Sequence, residues 1–193
     1  MKTITDYDQH IERMLFSPHE IAAAIDRLGE RIARDYAGKP LVLLGVLKGA
    51  LYVTTDVARA IARRPDGPSE VTVTYLCVSS YGNRTRSSGE VRLLRDTSVP
   101  LAGRDVLLVE DIVDNGLTLA YLRALLIGRE PASVRSCVLF DKPYHRRVDV
   151  PVEYCGLVAP DAFVVGYGLD YQELFRNLPY LAQLRPAVFT QEG

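Results

Sequence analysis

Between Val106 and Thr118 the chain reads VLLVEDIVDNGLT, an apolar run leading into Glu110, Asp111 and Asp114 and then an Asn115-Gly116 turn. Such a run suggests a strand buried on both faces, an environment that normally excludes carboxylates, so the acids are expected to emerge at the strand's end. Carboxylates this close together repel one another and favour a cationic, hydroxyl-rich or proton-donating ligand. Asn115 and Gly116, before a helix beginning near Leu117, would present free backbone N–H groups and the positive end of a helix dipole, and Thr118 would add a hydroxyl donor. In physical terms that is a phosphate cradle, and with the acids it describes a sugar phosphate with its hydroxyls, a metal remaining an open addition. The bland alternative is an Asn-Gly turn with a solvated acidic rim. A receiver domain also ends an apolar strand in paired acids, but it carries them on its first strand, and too little chain follows Val106 to build one.

The surrounding elements have to bring these residues together. Ser17, Pro18 and Glu20 form a capping box with proline at the first helical position, and Ile21, Ile25, Leu28 and Ile32 share one face of the helix that follows. Gly38 and Pro40 end it. Strands are predicted at 41–47, 71–78, 106–110, 133–141 and 152–158, with helices at 50–63 and 117–127. Residues 79–91, SSYGNRTRSSGEV, have the composition of a mobile loop long enough to act as a lid. Strands alternating with helices imply an α/β fold with a mainly parallel sheet, the first 16 residues and the tail after Leu169 forming flanking or hood elements. Ligands of such sheets lie beyond the carboxyl ends of the strands, where Lys48, Glu110, Asp111 and Lys142 all fall.

The 193 residues, with no internal repeat or linker, are expected to form one domain over 1–193. A net charge of −1 gives no global field for nucleic acid or an anionic membrane. No apolar stretch approaches a membrane span, and MKTITDYDQH does not resemble a signal peptide, so a cytoplasmic protein is expected. Cys77, Cys137 and Cys155 lack CxxC spacing and fall in apolar runs, which predicts buried free thiols. Dinucleotide, ATPase and zinc-protease readings lose support because GxGxxG, the P-loop signature and a second histidine after His19-Glu20 are missing.

VLLVEDIVDNGLT resembles the phosphoribosyl pyrophosphate motif of the type I phosphoribosyltransferases. GVLKGA (45–50), SSYGNRTRSSGEV (79–91), LFDKP (139–143) and PDAFVVGYGLDYQELFRNLPY (160–180) resemble, in order, the remaining segments of the hypoxanthine-guanine branch, over roughly residues 17–182. Ordered segments occurring jointly are specific where any one is only suggestive.

The resemblance implies a type I phosphoribosyltransferase fold with a small hood. It implies a transferase of purine salvage that moves 5-phosphoribosyl from phosphoribosyl pyrophosphate to hypoxanthine or guanine, giving IMP or GMP and pyrophosphate. By it, Glu110 and Asp111 hold the ribose hydroxyls, Asp114 exchanges a proton with purine N7, and Asn115, Gly116, Leu117 and Thr118 wrap the 5-phosphate. Asn115 departs from the family, which more often has Thr or Ser there. Lys48 and Gly49, where the family commonly has a cis peptide, here Leu47-Lys48, grip the pyrophosphate with Arg176; Ser80 and Tyr81 start the lid. Lys142 donates to the O6 acceptor of a 6-oxopurine and opposes adenine's amino group, Phe163 stacks on the base, and Val164 meets its edge. The blander readings are a solvated lysine for Lys48, a surface arginine for Arg176 and an ordinary buried strand for Phe163 and Val164. The family uses Mg²⁺, with Asp170, Glu110 and Asp111 as the implied protein contacts, and it forms homodimers or homotetramers. A non-catalytic regulator built on the same fold is the rival function, and its RNA-binding form would call for a basic face.

Overall fold

Ser17 caps its helix as its spacing predicts: the Glu20 N–H donates to Ser17 Oγ at 3.3 Å, and the Ser17 N–H donates back to Glu20 Oε2 at 2.8 Å. The computed structural model describes residues 7, 9–81 and 90–189. In chain order its elements are β1 (Ile11–Phe16), α1 (Pro18–Asp35), β2 (Pro40–Leu47), α2 (Leu51–Ala62), β3 (Glu70–Tyr81), β4 (Glu90–Arg95), β5 (Asp105–Val113), α3 (Leu117–Ile127), β6 (Ser133–Asp141), β7 (Tyr154–Val158), β8 (Val164–Val165), β9 (Leu181–Leu184) and α4 (Pro186–Phe189).

Six strands form the main sheet in the order β4-β3-β2-β5-β6-β7, parallel except for the antiparallel edge strand β4. Leu41–Val46 of β2 and Val106–Val109 of β5 are buried, as expected of central parallel strands covered on both faces. From β2 the chain crosses through α2 to β3 on one side, and from β5 through α3 to β6 on the other. Right-handed crossovers in opposite directions put α2 and α3 on opposite faces, and α1 packs on α2 and β7. The boundary between β2 and β5 is therefore the topological switch point, where loops diverge and leave a crevice. A second, antiparallel sheet of order β1-β9-β8 joins the two ends of the chain into the hood, over a small core of Val165, Phe175, Leu178, Ala182 and Leu184.

Three expectations are corrected. The 106–110 strand runs on to Val113, so Asp111 lies within β5 rather than beyond it, and Glu110 is not at its end. The reason is lopsided pairing. β2 pairs with β5 only as far as Gly45↔Val109, whereas β6 follows it to Val113↔Asp141. One edge of Glu110–Val113 is therefore left facing a notch. The 71–78 strand likewise extends to Tyr81, because Glu90–Arg95 returns beside it, so both ends of the expected loop are strand; residues 82–89 lie outside the described residues. Finally, Cys137 is buried as a free thiol, but Cys77 and Cys155 are only half-buried. Among the described residues no helix is long and apolar enough to cross a membrane.

Candidate active site

The notch beside β5 is where the acids gather. Glu110 is 6% exposed, and its Oε1 is buried with no hydrogen-bond partner. Burial, reinforced by the charge of Asp111, holds its carboxyl well above the ordinary carboxylate range. Burial also pushes Asp111 up to about 6, opposed by backbone N–H groups, including that of Ile112, which donates to Oδ1 at 2.9 Å. Gly49, in the turn after β2, backs directly onto this carboxylate: a Cβ there would sit 1.8 Å from Asp111 Oδ2. The next layer is equally tight, since a Cβ on Gly168 (φ +102°) would sit 2.0 Å from the Gly49 carbonyl oxygen. Arg176 fastens this stack by donating to Gly168 O at 2.7 Å and pairing with Asp170 at 2.7 Å. The Leu47-Lys48 peptide is cis, and Lys48 Nζ lies 2.9 Å from Glu173 Oε2.

Beyond the notch the chain turns through Asp114, which is exposed, and Gly116 (φ +84°) into α3. Asn115 Oδ1 accepts the Leu117 N–H at 3.0 Å, so one of the amides expected to meet a phosphate is already engaged by its neighbour's side chain. A cavity of about 260 Å³ lies here, lined by Glu110–Gly116, Thr118 and Leu119. A strap from the β6–β7 connection holds the turn: the Arg147 and Val148 N–H groups donate to Asn115 O at 2.9 and 3.3 Å. Arg146 donates to Asp114 O at 2.9 Å and pairs with Asp141.

Across from the acids, Lys142 is 8% exposed and its Nζ donates to Ala162 O at 2.6 Å. Burial lowers its pKa, while Asp114 and Asp161 oppose the shift. The Lys142 N–H donates to Val113 O at 2.8 Å, which ties it to the same strand end as Asp114. Phe163 stacks on Phe189 of α4 (centroids 4.9 Å apart, 22° between planes) and lies T-shaped to Tyr171 with centroids 5.7 Å apart. Phe189 therefore covers one face of the Phe163 ring. Val164 is buried in β8, paired with Gln183. Phe163, Asp170, Tyr171, Gln172 and Glu173 line a cavity of about 220 Å³.

A hard divalent cation suits this chemistry, since the buried Glu110 oxygen lacks a partner and Asp111 and Asp170 supply further carboxylates. Among the described residues no three His, Cys, Asp or Glu side chains are grouped to hold a metal ion. Such a cation would take few protein ligands and draw the rest from a bound substrate and water.

A phosphoribosyl transferase domain model matches residues 13–172. The chain belongs to the phosphoribosyltransferase family. The hypoxanthine-guanine phosphoribosyltransferase of Bacillus subtilis (strain 168) is 43% identical over 179 residues, covering 93% of this chain and 96% of its own. That of Mycobacterium tuberculosis (strain H37Rv) is 44% identical over 189 residues, covering 95% and 91%. A hypoxanthine phosphoribosyltransferase from Staphylococcus aureus superposes with a TM-score of 0.87 at 37% identity over 98% of each chain. The two sheets and their helices are thus a type I phosphoribosyltransferase fold.

Of the residues the phosphoribosyltransferase resemblance marks, Glu110, Asp111, Asp114, Asn115, Gly116 and Thr118 line one cavity. Gly49 touches Asp111, Arg176 pairs with Asp170, and Asp170 shares a second cavity with Phe163. Ser80 and Tyr81 end β3, but their side chains and residues 82–89 lie outside the described residues. Arg146, Tyr171, Glu173 and Phe189 have no place in the sequence reading, although all four touch residues that it marks. Only the run of basic residues after Lys142 hints at Arg146. The other three act through long-range contacts that no local spacing reveals.

Proposed function

We propose that this phosphoribosyltransferase transfers the 5-phosphoribosyl group from phosphoribosyl pyrophosphate to hypoxanthine or guanine, forming IMP or GMP and pyrophosphate in purine salvage. One observation carries the reading: the exposed Asp114 shares its strand end with the buried Glu110, the half-buried Asp111 and the buried Lys142, whose N–H is held by Val113 O.

In this reading Glu110 and Asp111 accept the ribose hydroxyls and favour positive charge developing at C1 as pyrophosphate leaves. Asp114 exchanges the proton at N7 while the glycosidic bond forms. The Asn115–Thr118 turn and the α3 N-terminus bind the 5-phosphate, with no acidic residue in the first helical turn to oppose it. Lys48, Gly49 and Arg176 receive the pyrophosphate. Lys142 has donors and no acceptor, which selects a 6-oxo over a 6-amino group, while Phe163 and Val164 bound the base. Ser80 and Tyr81 begin a lid that excludes water. Mg²⁺, held by Asp170 with Glu110 and Asp111 and by substrate oxygens, would supply charge neutralisation on the departing pyrophosphate.

The chain acts as one domain over 1–193, in the cytoplasm, as a homodimer or homotetramer, with no nucleic-acid or membrane partner. A solved Trypanosoma cruzi hypoxanthine phosphoribosyltransferase, 42% identical, is described in terms of its C-terminal region's role in oligomeric state and enzymatic activity; α4 brings the C-terminal region here to Phe163. The test is direct. Folded protein supplied with Mg²⁺, phosphoribosyl pyrophosphate and hypoxanthine should release IMP and pyrophosphate in equal amounts, and no product with hypoxanthine or guanine would overturn the reading.

A further inference from the structure

The two cations assigned to pyrophosphate already share an anion belonging to the chain. Glu173 Oε2 accepts from Lys48 Nζ at 2.9 Å, and its other oxygen, Oε1, lies 3.5 Å from Arg176 Nη2. One carboxylate thus divides its oxygens between two cations, as a phosphoryl group would. Its main chain is held in place too: Gln172 and Glu173 have φ of +53° and +64°, and the Glu173 N–H donates to Asp170 Oδ2 at 2.8 Å. The hydrogen bond from Lys48 holds the Glu173 carboxyl below its usual range. Yet the Lys48 and Glu173 side chains are 63% and 62% exposed, and pairs in water contribute little and exchange readily. Arg176 is different, since Asp170 and Gly168 O hold its guanidinium independently of Glu173.

We propose that Glu173 is a displaceable stand-in for pyrophosphate: its carboxylate holds Lys48 and faces Arg176 until a phosphate-bearing ligand takes its place, and its return to Lys48 helps product leave. The inference rests on the proposed function, because it takes Lys48 and Arg176 as pyrophosphate contacts. Its consequence is a competition inside the chain. Whatever affinity Lys48 gives a pyrophosphate group is reduced by the cost of first separating Lys48 from Glu173. Glu173 is therefore a positioning residue for Lys48, not a catalytic residue.

The test is a double-mutant cycle on Lys48→Gln and Glu173→Gln. Inorganic pyrophosphate binding in the presence of Mg²⁺ is measured by calorimetry, alongside the KM for phosphoribosyl pyrophosphate. Glu173→Gln alone should tighten pyrophosphate binding and lower that KM by about 2- to 5-fold, the range expected for an exposed ion pair. In the Lys48→Gln background the same change should alter neither constant. Unchanged or weaker binding in the single variant would overturn the proposal. An equal gain in both backgrounds would also overturn it, because Glu173 would then act by repelling the ligand through space rather than by occupying Lys48. The calorimetric arm needs no turnover, and thermal melts identify any variant that has lost its fold. A wild-type protein without transferase activity would defeat the proposed function itself; normal activity with a flat cycle would defeat only this inference.

Discussion

Glu110, Asp111 and Asp114 lie within five residues of one another, yet they meet different surroundings: Glu110 is buried, Asp111 half-buried and Asp114 exposed. That division suits the exposed acid for moving a proton and the enclosed pair for facing a developing sugar cation. Asp114→Asn should accordingly lower kcat by roughly 10²- to 10⁴-fold, the range for a lost general acid-base group, while thermal melting stays within a few degrees of wild type. Asp111 supplies a pH test. Its carboxyl titrates near 6 in the folded chain against an ordinary 3.8, so the folded state holds the proton more tightly than the unfolded state. Its contribution to stability is therefore fully present below its unfolded pKa and is lost as pH rises through about 6. Asp111→Asn fixes the neutral shape, so the variant's melting temperature should gain on wild type as pH rises from about 4 to about 7. A gap that stays constant would contradict the burial argument. These acids were legible in the sequence because carboxylates after an apolar run are conspicuous. Their separate environments were not, because these depend on which neighbouring strand stops first.

At the scale of elements, the crevice beside the acids is a difference in strand length: β2 releases β5 after Val109, and β6 does not. The turn after β2 then closes against Asp111 through a glycine with no room to spare. Gly49→Ala should cost about 1–3 kcal/mol, the range for overpacking, or displace the Asp111 carboxylate, and should lower activity in either case. Wild-type activity together with wild-type melting would show that the contact is loose. The α1 cap is a control far from the chemistry. Ser17→Ala removes the acceptor for the Glu20 N–H, at about 1 kcal/mol, and should lower the melting temperature by about 2–4 °C with kcat unchanged. Helix α1 was readable because its cap and apolar face are local signals, and α3 was predicted with its observed bounds, Leu117–Ile127. Strands β1, β4 and β9 were not read from the sequence, and β8 entered only as the blander reading of Phe163 and Val164. They are short or mixed in polarity, and each is fixed by a partner: β1 and β9 pair across the whole chain, and β4 follows β3. No window of sequence contains such information.

For the whole molecule, the main sheet positions the Asn115–Thr118 turn, the acids and Lys142, while the hood supplies Phe163, Asp170 and Arg176. The site therefore depends on the first and last strands of the chain meeting. Ordered motifs made the family legible in sequence, but they gave no sign of the contacts that join its parts, such as Lys48 to Glu173 and Phe163 to Phe189. Selectivity for the base tests this assembly as a unit, because in the proposed reading Lys142, just after β6, and the aromatic wall of the hood act on one ligand. The decisive measurement is nucleotide formation with hypoxanthine, guanine and adenine in parallel, with Mg²⁺ and phosphoribosyl pyrophosphate, for wild type and Lys142→Met. Wild type should convert hypoxanthine or guanine and leave adenine, and Lys142→Met should lose about 10-fold or more in kcat/KM for the 6-oxopurines, as expected when a charged hydrogen-bond donor is removed. Adenine used as readily as hypoxanthine by wild type, or selectivity unchanged in Lys142→Met, would contradict the account.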